Sequence, residues 1–366
     1  MSTRKTVSKK TAVAAGGIVF TDCEQLATKR ALRPKARRRQ VVIKGRRVKV
    51  IDVHAHCVIP QAAELMGSNQ RNARSSVVRG AEEAVIVLQT RLRAMDEQGI
   101  DMEALSINPF WYRTERELAS QIVDIQNEKL AELCAAHPDR FVAFASLALQ
   151  FPDLAVRQLE IAVKKLGLRG AAIGGSVAGE EFANPKFHPV WAKAEELGVL
   201  LFIHPAGMPE LANRFKGNGW LGNTIGNPLD TTIALSHLIF EGTLDKFPGL
   251  KICAAHGGGY LPSYAARSDH ACSVSPVSCD SSIVLKKKPS DYLRQMYFDS
   301  LVFTPEALRH LAAEVGPGHI VLGSDYPYRW QDKSVEHVLK TPSLTDAQRV
   351  AILGGTAAKL LGIRKS

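Results

Sequence analysis

The chain has 366 residues, 45% of them hydrophobic, which is enough for a large core, and barrels of alternating strands and helices reach this size as single units. Its formal net charge of +11 is uneven: residues 1–50 hold 15 Lys and Arg against only Asp22 and Glu24, while the remainder carries 32 basic and 34 acidic residues. No apolar run approaches the roughly 18 residues of a membrane span. The six cysteines (23, 57, 134, 253, 272, 279) are scattered without a CxxC pair and read as reduced thiols of a cytoplasmic protein.

Residues 1–48 form a basic N-terminal extension whose densest run is Lys35, Arg37, Arg38 and Arg39. A nucleic-acid or membrane-surface contact would use such charge, but no aromatic platform accompanies it, which favours a solvated arm or one packed on a partner subunit. Gln40–Lys44 and Arg47–Val50, split by Gly45, suit a short hairpin. From residue 49 to 366 the pattern is one of alternation. Apolar runs at 50–55, 102–107, 141–148, 169–174, 199–204, 251–256, 296–301 and 319–324 read as strands. Between them, helical periodicity covers 81–98, 115–136, 153–166, 186–197, 230–246, 304–315 and 344–361, with shorter helices near 262–270 and 289–295. Eight strands alternating with helices predict a parallel (β/α)8 TIM barrel; an open doubly wound sheet would carry a Gly-rich turn after its first strand, where this chain has HAHCVIP.

Barrel enzymes gather their chemistry at the C-terminal ends of the strands. The first strand ends in His54 and His56, which period-two alternation puts on one face, about 7 Å apart along the strand, and Cys57 on the other. The fifth ends in His204, the sixth in His256 followed by three glycines, and the eighth in Asp325. One histidine at a strand end could be chance, but four histidines and an aspartate on one rim point to a divalent metal, since imidazole and carboxylate suit zinc. The glycines after His256 would let a substrate approach the backbone.

This order of ligands, together with the phrases IDVHAH, LFIHP, KICAAHGGGYLPSYAAR, YFDSLVF and VLGSDYPY, resembles the amidohydrolase superfamily, metal-dependent hydrolases by fold type, and within it the branch around aminocarboxymuconate-semialdehyde decarboxylase. The resemblance covers about residues 50–362 and implies His54, His56, His204 and Asp325 as metal ligands and His256 as a catalytic residue beside them. Binuclear members use a carboxylated lysine at the end of strand four. Here that end reads Arg169 to Gly175 without one, so a single divalent ion is expected, zinc first and manganese second.

The branch contains decarboxylases, hydrolases and hydratases. Decarboxylation of an unsaturated or aromatic carboxylic acid without oxygen is the first expectation, in aromatic-compound catabolism; hydrolysis or hydration of an amide, lactone or ring-cleavage product on the same mononuclear site is the alternative. Arg267 favours the first. It lies eleven positions after His256, where decarboxylases of the branch place an arginine contributed across a homodimer interface, and a guanidinium grips a carboxylate in two places. Arg71, Arg74 and Arg79 offer a second carboxylate contact, with Arg79 put first, and Trp220 could flank a planar substrate. The expected partners are therefore a small carboxylate and a second copy of the chain, with no membrane and no nucleic acid.

Overall fold

The computed structural model describes residues 38–66, 88–328, 330 and 333–364. Strands β1 (Val41–Ile43) and β2 (Arg46–Val48) form the expected antiparallel hairpin, with Lys44 and Gly45 at positive φ in its two-residue turn. The following strands are β3 (Ile51–His56), β4 (Met102–Ser106), β5 (Phe141–Ala143), β6 (Gly170–Ile173), β7 (Leu200–Ile203), β8 (Lys251–Ala254), β9 (Tyr297–Asp299) and β10 (Ile320–Val321). They pair in parallel as two runs, β3 to β5 and β6 to β10. Parallel bridges Ala145↔Ala171 and Asp52↔Leu322 join the runs at both edges, so these eight strands close a barrel and the open-sheet rival is excluded.

Among the described residues helices fall where apolar periodicity put them, 81–87 of the expected 81–98 lying outside those residues, and their ends carry the expected chemistry. Pro305 opens the helix Pro305–Val315 while the Thr304 side chain accepts from Ala307 N; Gly198 closes His188–Leu197 in the left-handed conformation. Four expectations are corrected. The strand expected over 141–148 stops at Ala143, because the Asn127 side chain takes both the N–H and the C=O of Ser146 in place of a neighbouring strand. The helix expected over 230–246 starts at Asn227 and breaks at Gly242, φ 71°. That over 344–361 carries a π-helical turn, Ala351–Gly355, where Gly354 lies so close to Lys49 that a Cβ would meet its carbonyl oxygen at 2.1 Å. Finally, Cys272 and Cys279 form a disulfide rather than staying reduced: the helix Ala271–Val274 and the turn Pro276–Ser278 fold the chain back until their Cα atoms are 5.7 Å apart. Cys57, Cys134 and Cys253 are free thiols.

Inside the barrel, Ile51 and Val53 of β3, Phe144 after β5, Leu200 and Phe202 of β7 and Val321 of β10 make one apolar cluster. Ala357 and Leu361 join it from the last helix, which the Gly354–Lys49 contact docks at the strands' N-terminal end. The rim at the other end is left for polar side chains. The described stretch before the barrel, residues 38–48, is fastened to it by charged side chains. Asp101 accepts from Val50 N and pairs with Arg38 and Arg47, Arg39 pairs with Glu336, and Lys44 with Asp346. No helix among the described residues is long and apolar enough to cross a membrane.

Between β6 and β7 the strands touch at Gly170, where φ is +133° and a Cβ would lie 1.9 Å from the Leu200 carbonyl oxygen. Gly170→Ala should therefore cost about 2–5 kcal/mol from overpacking and backbone strain together. Gly167→Ala, at φ +72° with nothing within 4 Å, should cost only about 1–2 kcal/mol. Denaturant midpoints of the two variants check the ordering.

Candidate metal centre

Strict alternation along β3 would set His54 and His56 opposite Ile51 and Val53. The pairing with β4 breaks that rule: Asp52 faces Glu103 but Ala55 faces Leu105, an extra residue between them. This bulge turns both histidines inward, above the apolar cluster, and the His54 ring rests on Phe202 with centroids 5.1 Å apart. His204 follows Phe202 on the inward side of β7. His256 and Asp325 arrive differently. Both are non-glycine residues at positive φ, 55° and 60°, a conformation costing about 1–2 kcal/mol each, so the backbone is held off its preference where it aims these two side chains.

The five rim residues come together. The donor atoms of His54, His204, His256 and Asp325 all lie within 4.8 Å of one another. His56 joins them through its Nε2, 3.0 Å from His54 Nε2 and 2.9 Å from Asp325 Oδ1. His256 Nε2 stands 3.7 Å from Asp325 Oδ2. The far sides of the two β3 histidines are occupied. His54 Nδ1 donates to Asp299 Oδ2 at 2.6 Å, and His56 Nδ1 donates to Ser106 Oγ at 3.1 Å, whose own proton goes to the Ala55 carbonyl. Asp299 also accepts from the main-chain N–H groups of His256, Gly257 and Leu301, which fixes it.

These tautomers decide what the centre can hold. With protons on both Nδ1 atoms, the Nε2 lone pairs of His54 and His56 face each other and a carboxylate oxygen. Both ring nitrogens of His204 and Oδ1 of Asp325 are buried without a hydrogen-bond partner. Acceptors converging on one point repel unless a cation stands among them, so the residues fit a divalent metal. The electrostatics agree. Burial alone would pull His54 down, but Asp325 and Asp299 outweigh it and push it up to about 10, the mark of a site that favours positive charge. Burial opposes ionisation of Asp325 too, yet His54, His256 and His56 hold it well below the carboxylate range. Burial, then the neighbouring histidines, keeps His204 well below its ordinary value and hence neutral.

Beside the metal point a cavity of about 390 Å³ opens, lined by Asn223, Thr224, Asn227, Pro228, His256, Phe303 and Trp330. Trp220, expected near a planar substrate, stacks on the lining residue Trp330 at 5.4 Å and 17° and does not itself line the cavity. Arg267 is exposed on the helix Leu261–Ser268 and does not line this cavity. Arg71, Arg74 and Arg79 lie outside the described residues. The glycines after His256 are explained by packing, not by substrate approach: a Cβ on Gly257, Gly258 or Gly259 would strike Val302, Phe298 or the Pro228 carbonyl at 2.7, 2.6 and 2.0 Å. Sequence reasoning missed Asp299, Ser106, Phe303 and Trp330. Asp299 and Phe303 stand inside the phrase YFDSLVF, where an acid at the end of a strand was the available signal.

The barrel, the ligand order and the sequence together place the chain in the amidohydrolase family, whose profile matches residues 51–363. Among its relatives is 2-amino-3-carboxymuconate-6-semialdehyde decarboxylase of Dictyostelium discoideum, 29% identical over 75% of this chain and 76% of that protein. Another is gamma-resorcylate decarboxylase of a Rhizobium species, 32% identical over 75% of this chain and 86% of the relative. Among solved structures, a dihydroxybenzoic acid decarboxylase of Polaromonas, with bound manganese and the inhibitor 2-nitroresorcinol, is 27% identical with a TM-score of 0.76, over 86% or more of both chains (87% of this one, 98% of that one). The relatives' names favour decarboxylation over the hydrolase alternative, and a single divalent ion, zinc or manganese, agrees with the His/Asp group.

Elemental analysis should find one divalent ion per chain, and two tightly bound ions would contradict the site. Asp299→Asn removes the charge behind His54 and should lower metal affinity about 10–100-fold, measured by chelator competition.

Proposed function

We propose that the chain is a metal-dependent, oxygen-independent decarboxylase of an unsaturated or aromatic carboxylic acid, with His54, His56, His204 and Asp325 holding one ion. The observation that carries this is the convergence of unpartnered buried donors beside a cavity walled by Phe303 and Trp330. Its volume of about 390 Å³ suits one ring with small substituents. When bound, the ion supplies a Lewis acid for the oxygens of the acid. The chain's own residues do the rest. Phe303 and Trp330 flank the ring and exclude water. The bond to the carboxyl carbon breaks, carbon dioxide leaves, and the carbon left with the electron pair needs a proton. His256 lines the same cavity and is the group placed to hold that proton at Nε2 and deliver it.

The reading includes a homodimer. Arg267 is exposed on its helix and its guanidinium has no hydrogen-bond or ion-pair partner among the described residues, which leaves it available to a neighbour's substrate carboxylate. Arg79 and Trp220 are the remaining proposed substrate contacts. The barrel is taken to run over 49–366 with the basic extension at 1–48 outside the chemistry. A cytoplasmic location is kept because three thiols stay free and one clasp spanning seven positions is not a disulfide framework.

Carbon dioxide release should be detected from a panel of hydroxybenzoic and muconic acids, and hydrolysis of amides or lactones with no release from any acid would overturn the reading. His256→Ala should keep the ion while turnover falls about 10²–10⁴-fold; loss of the ion would reassign His256 as a ligand. Mixed Arg267→Ala and His256→Ala chains should regain activity if Arg267 acts across the interface. A dead mixture with proven heterodimers would confine it to its own chain.

A further inference from the structure

One buried charge has no part in the chemistry above. Arg91, on the helix Leu88–Gln98, is 4% exposed and reaches the joint between the first and last barrel strands. Its Nη1 donates to Glu103 Oε2 at 2.7 Å, and Glu103 is itself 1% exposed on β4. Its Nη2 donates to the main-chain carbonyl of His56. The guanidinium carbon lies 4.8 Å from the centroid of the Tyr326 ring.

Those contacts touch two of the three segments that carry ligands, His204 after β7 being the third. His56 is one of the rim donors, and Tyr326 directly follows Asp325. The two segments are laced by backbone bonds: Val53 N to Leu322 O at 2.9 Å, Asp325 N to His54 O at 2.8 Å and His56 N to Tyr326 O at 2.7 Å. Yet β10 is only Ile320–Val321, and beyond it isolated bridges such as Ala55↔Tyr326 replace a regular ladder. The ligands therefore sit where strand pairing has already become irregular.

An ion pair in such a place needs a reason, since burying one seldom stabilises a fold over an apolar pair of equal size. The geometry supplies the reason. A guanidinium can offer one nitrogen to a carboxylate, another to a carbonyl and its flat face to a ring at once, which an ammonium or an apolar side chain cannot. We infer that Arg91, held by Glu103, is a positioning residue for the metal centre: it ties the His56 carbonyl to the Tyr326 ring and so sets how His56 and Asp325 aim at their common point. This rests on the proposed reading of His56 and Asp325 as ligands.

The test compares the full-length chain with the double variant Arg91→Met, Glu103→Gln, which removes both charges without leaving one buried alone, and with Arg91→Lys. Affinity for Mn²⁺ is measured by competition with a chromophoric chelator, and thermal unfolding is followed after the metal is stripped. The double variant should lose about 10–100-fold in Mn²⁺ affinity while its metal-free unfolding stays within about 4 °C of the parent. Arg91→Lys should fall between. Unchanged affinity in the double variant overturns the inference, and so does an affinity loss matched by an equal loss of metal-free stability, which marks a general structural role. If the double variant does not fold, Arg91→Lys decides alone by the same two outcomes. A parent chain that binds no Mn²⁺ or Zn²⁺ overturns the underlying ligand reading instead, a result the variants are not needed to see.

Discussion

Five acceptors aimed at one point cannot coexist without a positive charge, and the fold has to hold them there against their own repulsion. Asp299 is where that constraint is met. It takes the Nδ1 proton of His54, which fixes the tautomer, and at the same time the N–H groups of His256 and Gly257, which fix the turn bearing the next histidine. Even in full burial Asp299 stays below the carboxylate range, because His54, His256 and the Gly257 N–H outweigh the cost of desolvation. One carboxylate at the end of β9 thus sets the orientation of side chains from β3 and β8.

Supports of this kind are hard to read in a sequence because they act through another residue. His54, His204 and Asp325 were legible since strand ends on a barrel rim share a place in space although they are far apart in the chain. Ser106 was not, because a serine at the end of an apolar run has no chemical signature until His56 is seen against it. The eight strands were legible from apolar runs, and errors fell where a side chain overrode the backbone pattern, as Asn127 does at Ser146. The helices Pro60–Leu65 and Ser334–Lys340 went unread because each is under two turns and shows no full period.

The bulge in β3 shows a limit of counting by twos. The spacing of His54 and His56 was read as one face of a strand, and they do share a face, but it is also the face of Ile51 and Val53. Without the extra residue, the histidines would point toward the outer helices and the apolar pair into the barrel. The irregularity therefore carries the site, and only the partner strand reveals it.

The cavity is lopsided. Among the described residues its walls come from the segments after β7, β8, β9 and β10, through Asn223, His256, Phe303 and Trp330. Most of these are loop residues that touch neither Asp299 nor Ser106, so the metal point rests on strand ends and the outline of the pocket on the loops beyond them. Substitutions at Asn223, Thr224 or Phe303 can reshape what fits without disturbing what binds the metal. A lineage built this way can drift from one ring acid to another by small changes in these loops, while the strand ends beneath them stay constant.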